Sequence, residues 1–229
     1  MIMFPRPSLI RIVPFGLYMA FIAVVEGAKL LGLPAPSQET MNWLYPAKIG
    51  LAAAAIFFYW KEYNDLIWKE LSNLKNTLLS VGVGLVVFAL WINLDFDFAI
   101  QGELTTYDPY ATFESSGVRM GMIISRVAGA VLIVPIMEEL FWKSFLVRYL
   151  ENKDITKVAP GTFTLFSFAG TAALFGLEHQ LWLAGIVAGV GYNFLYYKTK
   201  SLAQCILSHA LTNAVLAGYV LSTGKWYFW

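Results

Sequence analysis

The chain has 229 residues, 58% of them hydrophobic and 14% charged, where a soluble domain carries about 25% charged residues. One soluble core cannot hide that much apolar surface, so lipid must act as part of the solvent. A mean hydropathy of +0.61 agrees, and a net charge of +1 leaves no nucleic-acid footprint; a disordered chain, a coiled coil and an ordinary soluble enzyme are excluded.

Taken in chain order, seven stretches approach the roughly 20 apolar residues that a membrane helix needs. They fall at about residues 9–32, 41–60, 76–95, 119–150, 161–179, 181–197 and 201–223. The first carries Glu26 and Lys29 at its far end and lacks a cleavage site, so it reads as retained rather than as a signal peptide. Pro14 and Gly16 are candidate kink points within it. Residues 61–75 mix Leu66, Ile67, Trp68 and Leu71 with charges and read as a short amphipathic surface helix. Residues 95–118, with Tyr107, Pro109, Tyr110 and Phe113, read as an outer-surface loop, and Trp226 to Trp229 as an interfacial aromatic anchor. On the sixth span Gly185 and Gly189 form a G-x-x-x-G, best read as close helix packing. The expected fold is all-α, a polytopic membrane bundle of about seven helices forming one domain over residues 1–229.

Lysine and arginine in the short loops set the orientation. Arg6, Arg11, Lys61, Lys69, Lys75, Arg148, Lys153, Lys157, Lys198 and Lys200 fall on one side of such a bundle. The loops on the other side hold Glu39, and then Asp95, Asp97, Glu103, Asp108 and Glu114 without a base. The N-terminus is therefore expected in the cytoplasm.

Ionisable groups in the bilayer cost roughly 2.5–3.5 kcal/mol each on insertion scales. Glu26 and Lys48, near one level of the first two spans, read as a structural pair. The other notable groups gather in the C-terminal half. The fourth span has Glu138, Glu139 and Lys143, the fifth ends in Glu178 and His179, and the seventh has His209 and Asn213. His179 and His209 are the two histidines of the chain, and its single cysteine, Cys205, allows neither an internal disulfide nor a cysteine metal cluster. Glu139 and Lys143 are four apart and can pair on one helix face, while Glu138 is turned about 100° away. Phe175 and His179 share that spacing, as do His209 and Asn213. Each pair alone is ordinary membrane-helix glue; together Glu138, His179, His209 and Asn213 suffice for hydrolysis by activated water. A screened carboxylate with a histidine beside it deprotonates water, and an amide with a second histidine stabilises an oxyanion.

These residues form three motifs that resemble the CAAX prenyl endopeptidase family, with its bacterial branch of bacteriocin-processing and self-immunity membrane proteins. The family's E-E-x-x-x-R reads here Glu138-Glu139-Leu140-Phe141-Trp142-Lys143, with Lys in place of Arg and Ser144 where Gly is common. F-x-x-x-H reads Phe175 to His179, and H-x-x-x-N reads His209 to Asn213. The resemblance covers residues 119–215, the motif-bearing half. It implies a metal- and cofactor-independent glutamate protease of the bacterial plasma membrane. Its substrate would be a membrane-associated peptide or protein, lipidated or not, cut near its C-terminus. By motif position Glu138 is the base, His179 helps activate water, His209 and Asn213 serve the oxyanion, and Glu139 with Lys143 supports the site. For Glu138 and His179 to meet, the fourth span must shift or residues 179–183 must dip inward, around a cavity expected to open to the cytoplasmic half. Three rivals remain: a zinc protease using Glu138, His179 and His209, a non-catalytic scaffold, immunity or sorting partner, and a transporter, for which no two-fold symmetry is visible.

Overall fold

The computed structural model describes residues 4–102 and 106–229. Glu103 of the acidic loop lies outside them. Among the described residues the protein is helical throughout, apart from one antiparallel bridge between Ile100 and Leu181. Seven helices carry the fold: α1 (Arg6–Leu30), α2 (Gln38–Tyr59), α3 (Leu74–Trp91), α4 (Ser116–Glu151), α5 (Leu165–Leu177), α6 (Trp182–Thr199) and α7 (Leu202–Thr223). Of these α1, α3, α4 and α7 are long and apolar enough to cross a membrane. The molecule is an all-α membrane bundle.

Local chemistry explains where several helices begin. Ser37, Asn73, Thr164 and Ser201 each accept a hydrogen bond from a backbone N–H in the first turn of α2, α3, α5 and α7, supplying an acceptor to a donor that the helix leaves free. α1 runs without a break through Pro14. Successive helices alternate in direction, giving a proximal end, with Arg6, Tyr59, Leu74, Glu151 and Leu202, and a distal end, with Leu30, Trp91, Leu177 and Trp182.

α5 departs from expectation. A span of nineteen residues was expected at 161–179, but the helix has 13 residues, about 20 Å long against a hydrocarbon layer of about 30 Å. Its start is delayed by a turn in which Gly161 takes a φ of +71°, open to glycine without strain. Its end is set by how closely it lies on α6. A Cβ on Gly176 would meet the Trp182 carbonyl oxygen at 2.7 Å, one on Gly185 the Cα of Gly176 at 2.9 Å, and one on Gly189 the Cα of Ala172 at 3.0 Å. The close-packing reading of Gly185 and Gly189 therefore holds. The chain reverses between α5 and α6 through the non-helical residues 178–181. Gln101 donates its backbone N–H to the Gln180 carbonyl at 2.7 Å, and the Trp182 indole donates to the Phe98 carbonyl at 3.3 Å. The loop after α3 thus folds against this reversal and serves its backbone polar groups.

Other loops also turn inward. Residues 61–75 form two short 3-10 segments, Trp60–Glu62 and Trp68–Ser72, rather than the expected amphipathic helix. Between them Asp65 reaches into the bundle and pairs with Arg11 at 2.5 Å and Arg148 at 3.0 Å. Ser144 bonds both Asp65 and Arg11. Tyr107 and Phe113 are buried against the distal end instead of lying on an outer surface. Phe228 is buried beside Leu181, Leu216 and Val220, and the Tyr227 hydroxyl donates to Asp95 at 2.9 Å; residues 226–229 therefore fold back over the bundle end. The expected Glu26–Lys48 pair does not form. Glu26 takes Lys29 at 2.6 Å, one turn away, while Lys48 lies 4.3 Å from the centre of the Tyr18 ring.

Candidate active site

α4 positions both glutamates through irregular geometry. Two π-turns, Gly129–Ile133 and Leu140–Val147, flank the α-helical segment Val134–Glu139. Pro135 accounts for the first, because it has no N–H and its ring clashes with the preceding turn. Val134 donates to the Gly129 carbonyl. By the same offset of five, residue 135 would serve Ala130, and proline cannot. The Asn213 amide on α7 donates to that Ala130 carbonyl at 2.8 Å. One N–H of the third motif thus compensates the backbone irregularity that presents the first motif.

Glu138 and Glu139 diverge as adjacent helix positions must. Glu139, fully buried, has the Lys143 ammonium 3.8 Å from Oε2, the pairing expected from their spacing. Its Oε1 lies 3.0 Å from Nδ1 of His209. The opposite ring nitrogen, Nε2, lies 4.0 Å from Glu138 Oε2, an atom buried without a hydrogen-bond partner. One imidazole therefore sits between the two carboxylates, and Tyr192 stacks on its face with ring centres 4.8 Å apart.

His179 stands at the inner end of the shortened α5. Its Nδ1 lies 2.7 Å from the Phe175 carbonyl. A carbonyl only accepts, so Nδ1 carries the hydrogen and the neutral ring presents Nε2 as an acceptor. The Phe175 ring lies 4.8 Å from the His179 ring and 6.1 Å from that of His209, with the Lys143 ammonium 5.7 Å from its centre. Trp91 closes the other side of His179, edge-on at 5.2 Å.

Glu138, His179, His209, Asn213 and Phe175 all line one cavity of about 210 Å³, room for several waters at about 30 Å³ each. The expected cavity exists, and His179, in the non-helical reversal of residues 178–181, lines it together with Glu138. Its direction differs from expectation. The remaining wall includes Tyr45, Arg126, Leu216, Phe228 and Trp229, which extend it toward the distal end, away from the N-terminus. The proximal side is filled by the Asp65 network and by Leu140, Trp142 and Phe145, all buried.

The seven residues singled out from the motifs are thus brought together. Sequence reasoning missed Tyr192, Trp91 and Arg126. For the two aromatic residues no local signal existed. For Arg126 one did: its neighbours at three and four residues are Met122, Ile123, Gly129 and Ala130, so no acid on its own helix can pair with it. Glu178, next to His179, does not line the cavity.

Residues 120–215 match the family model described as type II CAAX prenyl endopeptidase, Rce1-like. The matched segment contains all three motifs, and the family is the one that they resemble. No curated protein matches the chain, and no solved structure matches it.

Proposed function

We propose that this chain, through residues 120–215 a member of the CAAX prenyl endopeptidase family, is a glutamate-type endopeptidase that cuts a membrane-associated substrate near its C-terminus. The observation that carries the reading is the His209 ring lodged between Glu138 and Glu139, on a cavity also lined by His179 and Asn213. Glu138, whose free oxygen faces the cavity, takes a proton from a water whose second hydrogen bond goes to Nε2 of His179. The hydroxide attacks the scissile carbonyl carbon. The resulting oxyanion is held by His209, whose Nδ1 is anchored on Glu139, and by the N–H of Asn213 not used on Ala130. Glu138 then passes its proton to the leaving nitrogen as the C–N bond breaks. Lys143 keeps Glu139 fixed and balanced in charge, and Phe175 spaces the two imidazoles.

The protein works in this reading in the bacterial plasma membrane with its proximal end in the cytoplasm. Arg6, Arg11, Lys61, Arg148 and Lys200 line one polar cavity at that end, as the distribution of basic residues requires. The test is a comparison of membrane-derived peptides in cells carrying the wild-type chain and Glu138→Gln. The expected result is the disappearance of a defined set of C-terminal fragments and accumulation of their precursors. An unchanged peptide set with an unchanged phenotype would favour the scaffold reading. The purified protein is expected to keep cutting after exhaustive chelation; loss of activity restored by zinc would replace this mechanism with a metal-assisted one.

A further inference from the structure

Among the described residues, two cations near the cavity have no acid partner. Arg126 lines that cavity, and its guanidinium carbon lies 4.2 Å from the centre of the Tyr45 ring and 5.0 Å from that of Tyr107. Its Nε is buried without a hydrogen-bond partner. Lys48 on α2 lies 5.4 Å from the Tyr45 ring centre and 4.3 Å from that of Tyr18, and both tyrosines line the same cavity. Among the described residues no carboxylate forms an ion pair with either cation. Of the other basic residues within the helices, Arg6, Arg11, Lys29, Lys143 and Arg148 each pair with an acid, whereas Arg119 donates to the Phe113 and Glu114 carbonyls and Lys198 lies over the Phe194 ring; what sets Arg126 apart is that it lines the cavity with a buried nitrogen unmet.

Aromatic faces attract a cation but do not neutralise it, and an ionised side chain at membrane depth is costly unless it has a use. The cavity wall therefore offers positive charge to whatever enters. In a substrate cut near its end, one anion is present whatever the sequence: the terminal carboxylate. Arg126 and Glu138 are twelve residues apart on α4, at most about 18 Å along the axis because the π-turn Gly129–Ile133 lies between them, less the reach of the two side chains. An extended peptide advances about 3.3 Å per residue, so the interval fits a leaving segment of a few residues.

We propose that Arg126, backed by Lys48 across the Tyr45 ring, is the subsite that binds the C-terminal carboxylate of the peptide to be cut. The assignment rests on the protease reading above and adds to it a rule of specificity: free carboxyl ends are taken and blocked ends refused. The guanidinium is the group suited to this, since its planar fork pairs a carboxylate through two hydrogen bonds.

The experiment uses the full chain in phosphatidylcholine nanodiscs, with Glu138→Gln to prevent turnover during binding. The probes are an N-dodecanoyl apolar hexapeptide with a free carboxyl end and the same peptide amidated, titrated by calorimetry. The free acid is expected to bind about tenfold tighter or better, the scale of a charge-assisted hydrogen bond. Arg126→Gln should erase the preference and leave amide binding intact, while Arg126→Lys should keep part of it. Equal binding of acid and amide, or a preference that survives Arg126→Gln, overturns the proposal. If Arg126→Gln does not fold, Lys48→Gln and the acid-to-amide ratio of the parent protein still decide. Dodecyl phosphate is the competing arm: tighter binding than the acid peptide, lost in Arg126→Gln, would assign the cations to a lipid phosphate and also overturn the proposal. Cleavage of both peptides by the chain with Glu138 intact, read by mass spectrometry, separates the two claims. Acid-selective binding without cleavage removes the protease and keeps the subsite; cleavage indifferent to amidation does the reverse.

Discussion

Two polar clusters are buried in this apolar bundle, built from the same kinds of residue and finished differently. At the proximal end Asp65 holds Arg11 and Arg148, Ser144 bonds Asp65 and Arg11, and the two guanidinium groups also donate to the Pro7 and Val158 carbonyls. None of these four side chains has a buried atom left without a partner. Around the candidate catalytic cavity, Glu138 keeps a buried oxygen free and Arg126 a buried nitrogen. The first cluster ties α1, the loop after α2 and α4 into one piece. The second is assembled through Glu139, Lys143 and Asn213, and leaves unbonded one atom each of Glu138 and Arg126, which line the cavity, and of Glu139 behind them. In a low-dielectric interior an unmet polar group is expensive, so where the cost is accepted points to the work.

That contrast can be broken by substitution. The largest effect is expected from Glu138→Gln: cleavage should fall by about 10²–10⁴, the usual contribution of a general base, while detergent or urea unfolding hardly changes. Asp65→Asn should give the opposite signature. Two arginines lose their buried counter-charge, and stability should fall by about 3–5 kcal/mol, with turnover per folded molecule nearly kept. Equal losses of activity and stability in both variants would dissolve the distinction between the clusters. Asn213→Ala sits between them, since one N–H holds Ala130 and the other faces the cavity. Turnover should drop about 10²–10³-fold, as for a lost oxyanion donor, with about 1 kcal/mol less stability from the freed carbonyl. The smallest effect is expected from Arg6→Gln, which removes an exposed bidentate pair with Glu62. The Arg6 guanidinium holds the Glu62 carboxyl below its ordinary value, chiefly by hydrogen bonding. A depressed carboxyl stabilises the fold above its unfolded pKa and loses that contribution as the pH falls. Any difference between wild type and Arg6→Gln should therefore exist at neutral pH and vanish in acid, and solvent screening should make it barely measurable.

Much of this was legible from residues alone, for identifiable reasons. Hydropathy marked where the main helices lie, although only four of them are long and apolar enough to cross a membrane, and Ser37, Asn73, Thr164 and Ser201 mark helix starts by local chemistry. The motifs brought Glu138, His179, His209 and Asn213 into view because ionisable groups are scarce in such a chain. What escaped was set by contacts distant in sequence. The length of α5 follows from how closely Gly176 approaches α6, Asp65 is drawn inward by two arginines 54 and 83 positions away, and residues 226–229 are held by Asp95 and Leu181. Lys48 was assigned to Glu26 because the two share a level in the bundle. The nearer Lys29 on the same helix took that acid, leaving Lys48 to the tyrosines.

One consequence of the short α5 concerns the membrane itself. Leu165, Phe166, Leu174 and Leu177 are exposed along this helix, an apolar face about 20 Å long, some 10 Å less than a bilayer's hydrocarbon is thick. Acyl chains next to a helix that is too short must tilt, compress or let headgroups sink. Such a dent would lie beside the reversal that carries His179. Hydrolysis needs water in a place that lipid keeps dry, and a locally thinned leaflet would shorten its path without a pore through the protein.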